Sequence, residues 1–243
     1  MIRSRIKSAL RHIGWEVSRY CPENSRICRS GSRLKALNVD LVLDVGANVG
    51  QFAQELRESG YEGRIISFEP LSKAYRDLII ASSVDPMWQI APRCALGSSP
   101  RQSDISIASN SWSSSLLPMT EKHVAAAPNA QFIGTETVSI STLDELVLED
   151  VRNARHPYLK IDTQGYEGEV LAGAKDILPH LVGLQLELSL VPLYEGQPDY
   201  IEMIQRIQEK GFELFGLDPE FYDARTSRLL QVDAIFCRQS LKV

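Results

Sequence analysis

The chain has 243 residues, of which 44% are hydrophobic and 23% charged, and its formal net charge is -5. That length and balance suit one generous folded domain or two small ones and argue against wholesale disorder. No stretch approaches the ~18 uncharged apolar residues of a membrane span, the basic N-terminus lacks the apolar core and cleavage site of a secretory signal, and the four cysteines (Cys21, Cys28, Cys94, Cys237) have no paired zinc spacing, which leaves reduced thiols in a cytoplasmic protein as the reading.

The charge is unevenly spread. Residues 1–37 hold nine Lys/Arg and two Glu, about +7, which leaves about -12 for the remainder. So acidic a body argues against nucleic acid as a partner. Within the basic end, residues 2–17 (IRSRIKSALRHIGWEV) set Ile2, Ile6, Leu10, Ile13 and Val17 at three- and four-residue steps. As a helix they carry one apolar stripe edged by Arg3, Arg5, Lys7 and Arg11. Two readings of that stripe stand: it packs on the protein's own body, or residues 1–20 lie on an anionic membrane surface, which would place a cytoplasmic protein on the inner face of the membrane. Residues 1–38 are thus read as a basic arm and 39–243 as the folded domain.

From residue 40 short β-like runs alternate with helical patterns. Strands are expected at 40–45, 64–68, 88–96, 158–162 and 182–188, and helices at about 49–59, 72–82, 142–149, 166–178 and 199–210. Thr142 and Glu145 have capping-box spacing, and Gly60 and Gly211 stand where helices should stop. Such alternation predicts an α/β, Rossmann-like, mostly parallel sheet with helices on both faces. At the end, 212–217 and 229–237 flank a polar DARTSR turn with no helix between, so the last strand should run antiparallel. Residues 98–115 break the pattern with nine serines in eighteen positions, Trp112 among them. The alternation in SDISIA and TETVSIS suggests a small hairpin, and the insertion, taken as 98–137, reads as a substrate-facing lid.

The turn DVGANVG follows the first strand and opens a helix, the context in which ligands bind at the carboxyl ends of an open sheet. Gly46 and Gly50 let a ligand approach the backbone, and Asn48 tolerates a left-handed conformation. The spacing is neither the G-x-G-x-x-G of dinucleotide sites nor a phosphate-binding P-loop. A turn with so few glycines suits a ligand with no pyrophosphate. Glu69 ends the second strand, where a carboxylate accepts hydrogen bonds from both hydroxyls of a ribose. A nucleoside without pyrophosphate points to S-adenosyl-L-methionine, with Asp44 and Asp162 placing carboxylates near its cationic sulfonium.

These segments resemble the FkbM-type methyltransferases. The resemblance runs from about Val39 to Arg238 through DVGANVGQF, ISFEP, CALG, STLDEL, YLKIDTQGYEGEVLAGA, LQLELS, LYEGQPDY, GFELFGL and QVDAIFCR, in order. It implies a seven-stranded class I methyltransferase fold, S-adenosyl-L-methionine as donor and O-methylation of a hydroxyl on a sugar or polyketide-type product. Asp44, Gly46, Ala47, Asn48 and Gly50 match the family's donor turn and Glu69 its ribose acid. Ala95 and Leu96 fall where the adenine is lined. Asp162, followed by Gln164 and Glu167, matches the motif beneath the reacting methyl. The arm lies outside the family core, and similar arms accompany members that methylate sugars of cell-surface glycolipids.

A sugar hydroxyl has a very high pKa, so a general base should assist methyl transfer. Asp162 is the first candidate, with a donor-side role as its alternative; Glu187, ending LQLEL, is the second; His123, in the insertion, is the third. Trp112 can stack on a sugar face or simply anchor its loop. Asp162 and Glu187 are able to share a divalent ion, but no third ligand declares itself, and no metal is expected. The expected acceptor is a small-molecule or lipid-linked glycosyl group. A nucleotide-dependent oxidoreductase and a non-catalytic S-adenosylmethionine-binding module are the rival readings on the same fold. Oligomeric state is not legible.

Overall fold

A computed structural model of the chain describes residues 10, 12–15 and 25–239. The amphipathic stripe expected over 2–17, and the membrane contact expected of 1–20, lie largely outside those residues. Within them Ile13 and Trp15 are 70% and 67% exposed. Among the described residues no helix is long and apolar enough to cross a membrane.

The elements in chain order are α1 (Arg26–Ala36), β1 (Leu41–Val45), α2 (Gln51–Glu58), β2 (Arg64–Phe68), α3 (Ser72–Ser82), β3 (Trp88–Ile90), β4 (Ala95–Leu96), β5 (Arg101–Ala108), α4 (Glu121–Ala126), β6 (Phe132–Ser141), α5 (Leu143–Asn153), β7 (Pro157–Ile161), α6 (Glu167–Ala172), β8 (Gly183–Ser189), α7 (Tyr200–Glu209), β9 (Phe212–Asp223) and β10 (Arg228–Arg238). The main sheet has seven strands in the order β3-β2-β1-β7-β8-β10-β9. The β3-β2, β2-β1, β1-β7 and β7-β8 pairs are parallel, while β10 is antiparallel to both neighbours. The α/β class, the mostly parallel sheet and the antiparallel last strand are as the sequence predicts.

Alternation along the central strands divides the core. Leu41, Leu43, Val45, Leu159 and Ile161 pack on one face with α5, α6 and α7, through Val147, Val170, Met203 and Ile207 among others. Val42 and Tyr158 point to the other face, against Ala53, Leu56 and Leu78 of α2 and α3. Leu34 and Leu37, in and just after α1, belong to this second cluster. The helix is also pinned by Arg29 and Arg33, which bond the two oxygens of Asp218 on β9 at 2.8 Å each. Part of the basic charge of 1–37 is therefore matched by acids of the body.

Three sequence expectations change, the simplest being that the strand expected over 212–217 runs on to Asp223. The run 88–96 is not one strand: β3 stops at Ile90, and Ala95–Leu96 pairs in parallel with β6 in a separate three-stranded sheet, β4-β6-β5. Pro92 between them has no N–H to continue a ladder. The helix expected over 166–178 ends at Ala172 with Gly173 as its cap, where a Cβ would stand 2.0 Å from the Gly97 carbonyl oxygen. The expected hairpin is present as β5 paired antiparallel with β6, with α4 carried on the connection. Thr142 caps α5 by accepting from Glu145 N–H at 3.1 Å.

Candidate active site

The turn after β1 is held from below. Gly46 and Ala47 N–H both donate to the Phe68 carbonyl, at 3.1 and 3.0 Å. Gly46 has φ +76°, and a Cβ there would lie 1.8 Å from the Asp162 carbonyl oxygen. Asn48 takes φ +50° and Gly50 φ +93°. A side chain at Gly50 would meet the Trp88 ring at 2.6 Å, so the residue tucks the start of α2 against β3. These positions need left-handed backbone or close approach, which explains the glycines and the asparagine.

Glu69, at the end of β2, faces this turn. Its Oε2 accepts from Asn48 N–H and its Oε1 from Leu71 N–H, both at 2.8 Å. Burial pushes its carboxyl up to about 7, against those two hydrogen bonds. Each oxygen keeps a further lone pair for the vicinal hydroxyls of a ribose. Beside it Leu71, Ala95, Leu96 and Ile105 form an apolar slot suited to a flat base.

Asp44 lies one layer deeper than the sequence suggests. It is fully buried, is absent from the cavity lining, and accepts from the Ser67 hydroxyl at 3.1 Å. Its partner is Lys160 on β7, whose Nζ stands 3.2 Å from Asp44 Oδ1, 3.5 Å from Asp162 Oδ2 and 3.4 Å from the Gly46 carbonyl. Burial alone would discharge this lysine, but the Asp44 and Asp162 carboxylates outweigh it and keep the cation. Lys160 was missed in the sequence, although a lysine inside the apolar run YLKI was its signal.

The loop after β7 presents Asp162 and Gln164. The Gln164 amide donates to Asp162 Oδ1 at 2.9 Å and to Glu187 Oε2 at 2.6 Å, so it bridges the two candidate bases. Its own oxygen lies 2.7 Å from the Tyr194 hydroxyl. Glu167 braces the loop by accepting from Thr163 N–H and Gly165 N–H at 3.0 and 3.1 Å. Glu187 also accepts from Gln231 Nε2 at 2.8 Å. Burial, with Asp162, Asp233 and Glu167 as like-charged neighbours, raises the Glu187 carboxyl well above its ordinary value.

Gly46, Ala47, Asn48, Glu69, Ala95, Leu96, Asp162 and Glu187 line a single cavity of about 340 Å³, together with Trp112, Lys160, Gln185, Arg26, Glu220 and Asp233. That volume is in the range of small-molecule sites. Gly50 and Asp44 support it from outside the lining. His123 does not line it. Its buried ring packs edge-on against Tyr194, 5.0 Å between centroids, and burial lowers its pKa. Trp112 is 68% exposed at the rim. Among the described residues no cluster of three His, Cys, Asp or Glu is placed to hold a metal ion. The residues present fit a nucleoside donor, through the diol at Glu69, the base in the apolar slot and a cation near Asp162.

The family model of the methyltransferase FkbM domain matches residues 44–214. A comparison with curated proteins finds no match. Solved structures that are similar include magnesium protoporphyrin IX methyltransferase from Synechocystis PCC 6803 with bound S-adenosylmethionine, at 12% identity over 98% of this chain and 95% of that one, TM-score 0.46. Fibrillarin from Aeropyrum pernix, with natively bound S-adenosyl-L-methionine, aligns at 13% identity over 83% and 74%, TM-score 0.42. EvdMO1 aligns at 13% identity over 97% of this chain, TM-score 0.44, and the chain spans 47% of its length.

Proposed function

The chain belongs to the FkbM methyltransferase family, with S-adenosyl-L-methionine as its cofactor, and from that premise we propose that it methylates a hydroxyl oxygen of a sugar carried on a glycolipid or related natural product. The observation that carries the reading is Glu69, bracketed by Asn48 and Leu71 N–H at the mouth of an apolar slot, with the bridged carboxylates Asp162 and Glu187 in the same cavity.

The donor supplies a methyl group on a sulfonium, a good leaving group. The chain's part is to hold an acceptor oxygen in line and to take up its proton. Asp162, the outer and more open of the two carboxylates, receives that proton, and Glu187 steadies it through the shared Gln164 amide. Lys160 fixes the far oxygen of Asp162, which limits the orientations its carboxylate samples. Trp112 at the rim offers an aromatic face to the sugar ring.

A lipid-linked acceptor is supported by position and charge. Arg26 at the start of α1 lines the cavity, and further basic residues precede it in sequence. Basic residues near an anionic surface each contribute about 1 kcal/mol, which favours an enzyme peripheral on the inner face of the membrane. Mass spectrometry of glycolipids and small glycosides from cells with and without the protein tests the reading. A product heavier by one methylene, lost with the gene, is expected. Unchanged profiles, with methylation appearing on nitrogen or on nucleic acid instead, would overturn it.

A further inference from the structure

Gln164 hydrogen-bonds to both candidate bases, and its amide is not symmetric. Nε2 donates to Asp162 Oδ1 at 2.9 Å and to Glu187 Oε2 at 2.6 Å, so both of its N–H groups are committed to carboxylates. Turned over, the amide would set its oxygen against the same two acceptors. What holds it the right way round lies on its far side, where Oε1 is 2.7 Å from the Tyr194 hydroxyl. We propose that Tyr194 is a positioning residue: by donating to Gln164 Oε1 it fixes the amide so that Asp162 and Glu187 are both kept as proton acceptors. The proposal rests on the methyltransferase reading, in which one of these carboxylates takes up the acceptor's proton.

Tyr194 lies in the loop between β8 and α7 and is fixed independently of Gln164. Its backbone N–H donates to Gln197 Oε1 at 2.8 Å, and its backbone forms a bridge with Met119 of the insertion. The side chain is fully buried in a cluster with Val191, Leu193 and Leu230, and the His123 ring stands edge-on to it. It packs so closely on the Gln164 loop that a Cβ at Gly165, φ +94°, would stand 2.9 Å from Tyr194 Cβ. A buried phenol is costly unless its hydroxyl is bonded. Here the Ser113 side chain bonds to it, the Ser113 carbonyl stands 3.2 Å away, and Gln164 Oε1 is the nearer acceptor. The single hydroxyl proton therefore goes to the amide. That donation also polarises the amide and strengthens the two N–H donors on its other side.

The consequence falls on Glu187. Burial, then the like charges of Asp162, Asp233 and Glu167, hold its carboxyl well above its ordinary value, with Lys160 opposing them. Gln164 and Gln231 supply the N–H donors, both on Oε2, that favour its ionised form. Without the Tyr194 hydroxyl the amide is no longer pinned. Its oxygen then accepts from a protonated Glu187, and its N–H groups no longer serve an ionised one. A carboxyl that holds its proton is no base. Tyr194 itself does not line the cavity, so donor binding does not depend on it.

The test needs no acceptor. The full chain, saturated with S-adenosylhomocysteine and labelled with carbon-13 at the glutamate side-chain carboxyl, is titrated by NMR. Glu187 is identified by the signal lost in Glu187→Gln. Tyr194→Phe keeps the ring, should retain S-adenosylhomocysteine binding, and should raise the Glu187 midpoint by at least about 0.5 pH unit, about threefold in proton affinity. Phe221→Leu, which loosens the same cluster and leaves the hydroxyl, should not move it. In a Gln164→Gly background the left-handed backbone (φ +55°) is kept and the amide is gone, so Tyr194→Phe should have no further effect. The wild-type chain carries a readout that needs no Tyr194 variant. The nitrogen-15 signal of the Gln164 NH2 group, identified by its loss in Gln164→Gly, should be protected from water and follow the Glu187 midpoint. A midpoint unmoved or lowered in Tyr194→Phe, an equal rise in Phe221→Leu or in the Gln164→Gly background, or a Gln164 NH2 group that does not follow Glu187 would overturn the proposal. Failure of the wild-type chain to bind S-adenosylhomocysteine would instead count against the methyltransferase reading.

Discussion

At the scale of single residues, Glu69 and Asp162 carry the account. Glu69→Ala should weaken S-adenosylhomocysteine binding by roughly 1–3 kcal/mol, the scale of lost charge-assisted hydrogen bonds, and calorimetry reads it directly. The carboxyl also has a pH signature. Burial holds it near 7 in the free protein, so part of the population is protonated at neutral pH. Ribose hydroxyls donate to the ionised form and favour it, so binding near pH 7 should release protons. The observed enthalpy should therefore vary with the buffer's ionisation enthalpy, and that dependence should shrink in Glu69→Gln. For Asp162, the Asn variant should lower turnover by about 10²-fold, the range of a general base. Should donor affinity collapse while single-turnover rate at saturating donor is preserved, Asp162 is a binding residue and Glu187 takes the base role. The place of Glu69 beside the glycine turn was legible because an acid ending the strand next in sequence falls at the same carboxyl edge of a parallel sheet. Lys160 was not, because its value depends on neighbours brought from other strands.

At the scale of elements, α1 is the one whose role changed most between sequence and structure. Read along the chain, Arg26, Arg29 and Arg33 belong to a basic arm. In the fold they share a face and meet acids far away in sequence, with Arg26 on Glu220 and Arg29 and Arg33 on Asp218. No local pattern encodes pairings 185 to 194 residues apart. The strands, by contrast, were readable to within about two residues wherever apolar runs were bounded by Gly or polar turns, apart from β9, expected over 212–217 and running on to Asp223. A second exception, 88–96, ran two short strands of different sheets together across Pro92. Arg33→Ala should cost about 1–3 kcal/mol in urea unfolding, less than breaking a fully buried pair because Arg29 still reaches Asp218. The pH dependence has a definite sign. Burial alone would raise the Asp218 carboxyl, but Arg33 and Arg29 outweigh it and hold it below its ordinary value of 3.8. A depressed folded value means the stabilisation is complete above the ordinary value and is lost as pH falls through the lower one. The wild-type advantage over Arg33→Ala should thus be constant near neutrality and shrink in acid below about 3.8.

At the scale of the whole molecule, an acidic methyltransferase body follows a basic N-terminal sequence, and Arg26 at the start of α1 lines the cavity. The mostly parallel sheet and the antiparallel final strand followed from the alternation of β and α patterns and from the helix-free DARTSR turn, whereas the order of the strands is seen only in the fold. The separate β4-β6-β5 sheet followed only in part, because a serine-rich insertion hides its pairing partners. Co-sedimentation with anionic vesicles, for the full chain and for a chain beginning at Ser25, tests the surface reading. The full chain should partition more strongly at low salt and lose most of that advantage at high salt. Equal, salt-insensitive partitioning of both would remove the membrane, and lower thermal stability of the shorter chain would mean that the segment packs on the body. The central claim is that this cavity holds S-adenosylmethionine rather than a dinucleotide, and one calorimetric comparison tests it most directly. S-adenosylhomocysteine should bind the wild-type chain at about one equivalent and NAD should show no saturable heat under the same conditions. Binding of NAD, or no binding of S-adenosylhomocysteine by the folded protein, would contradict it.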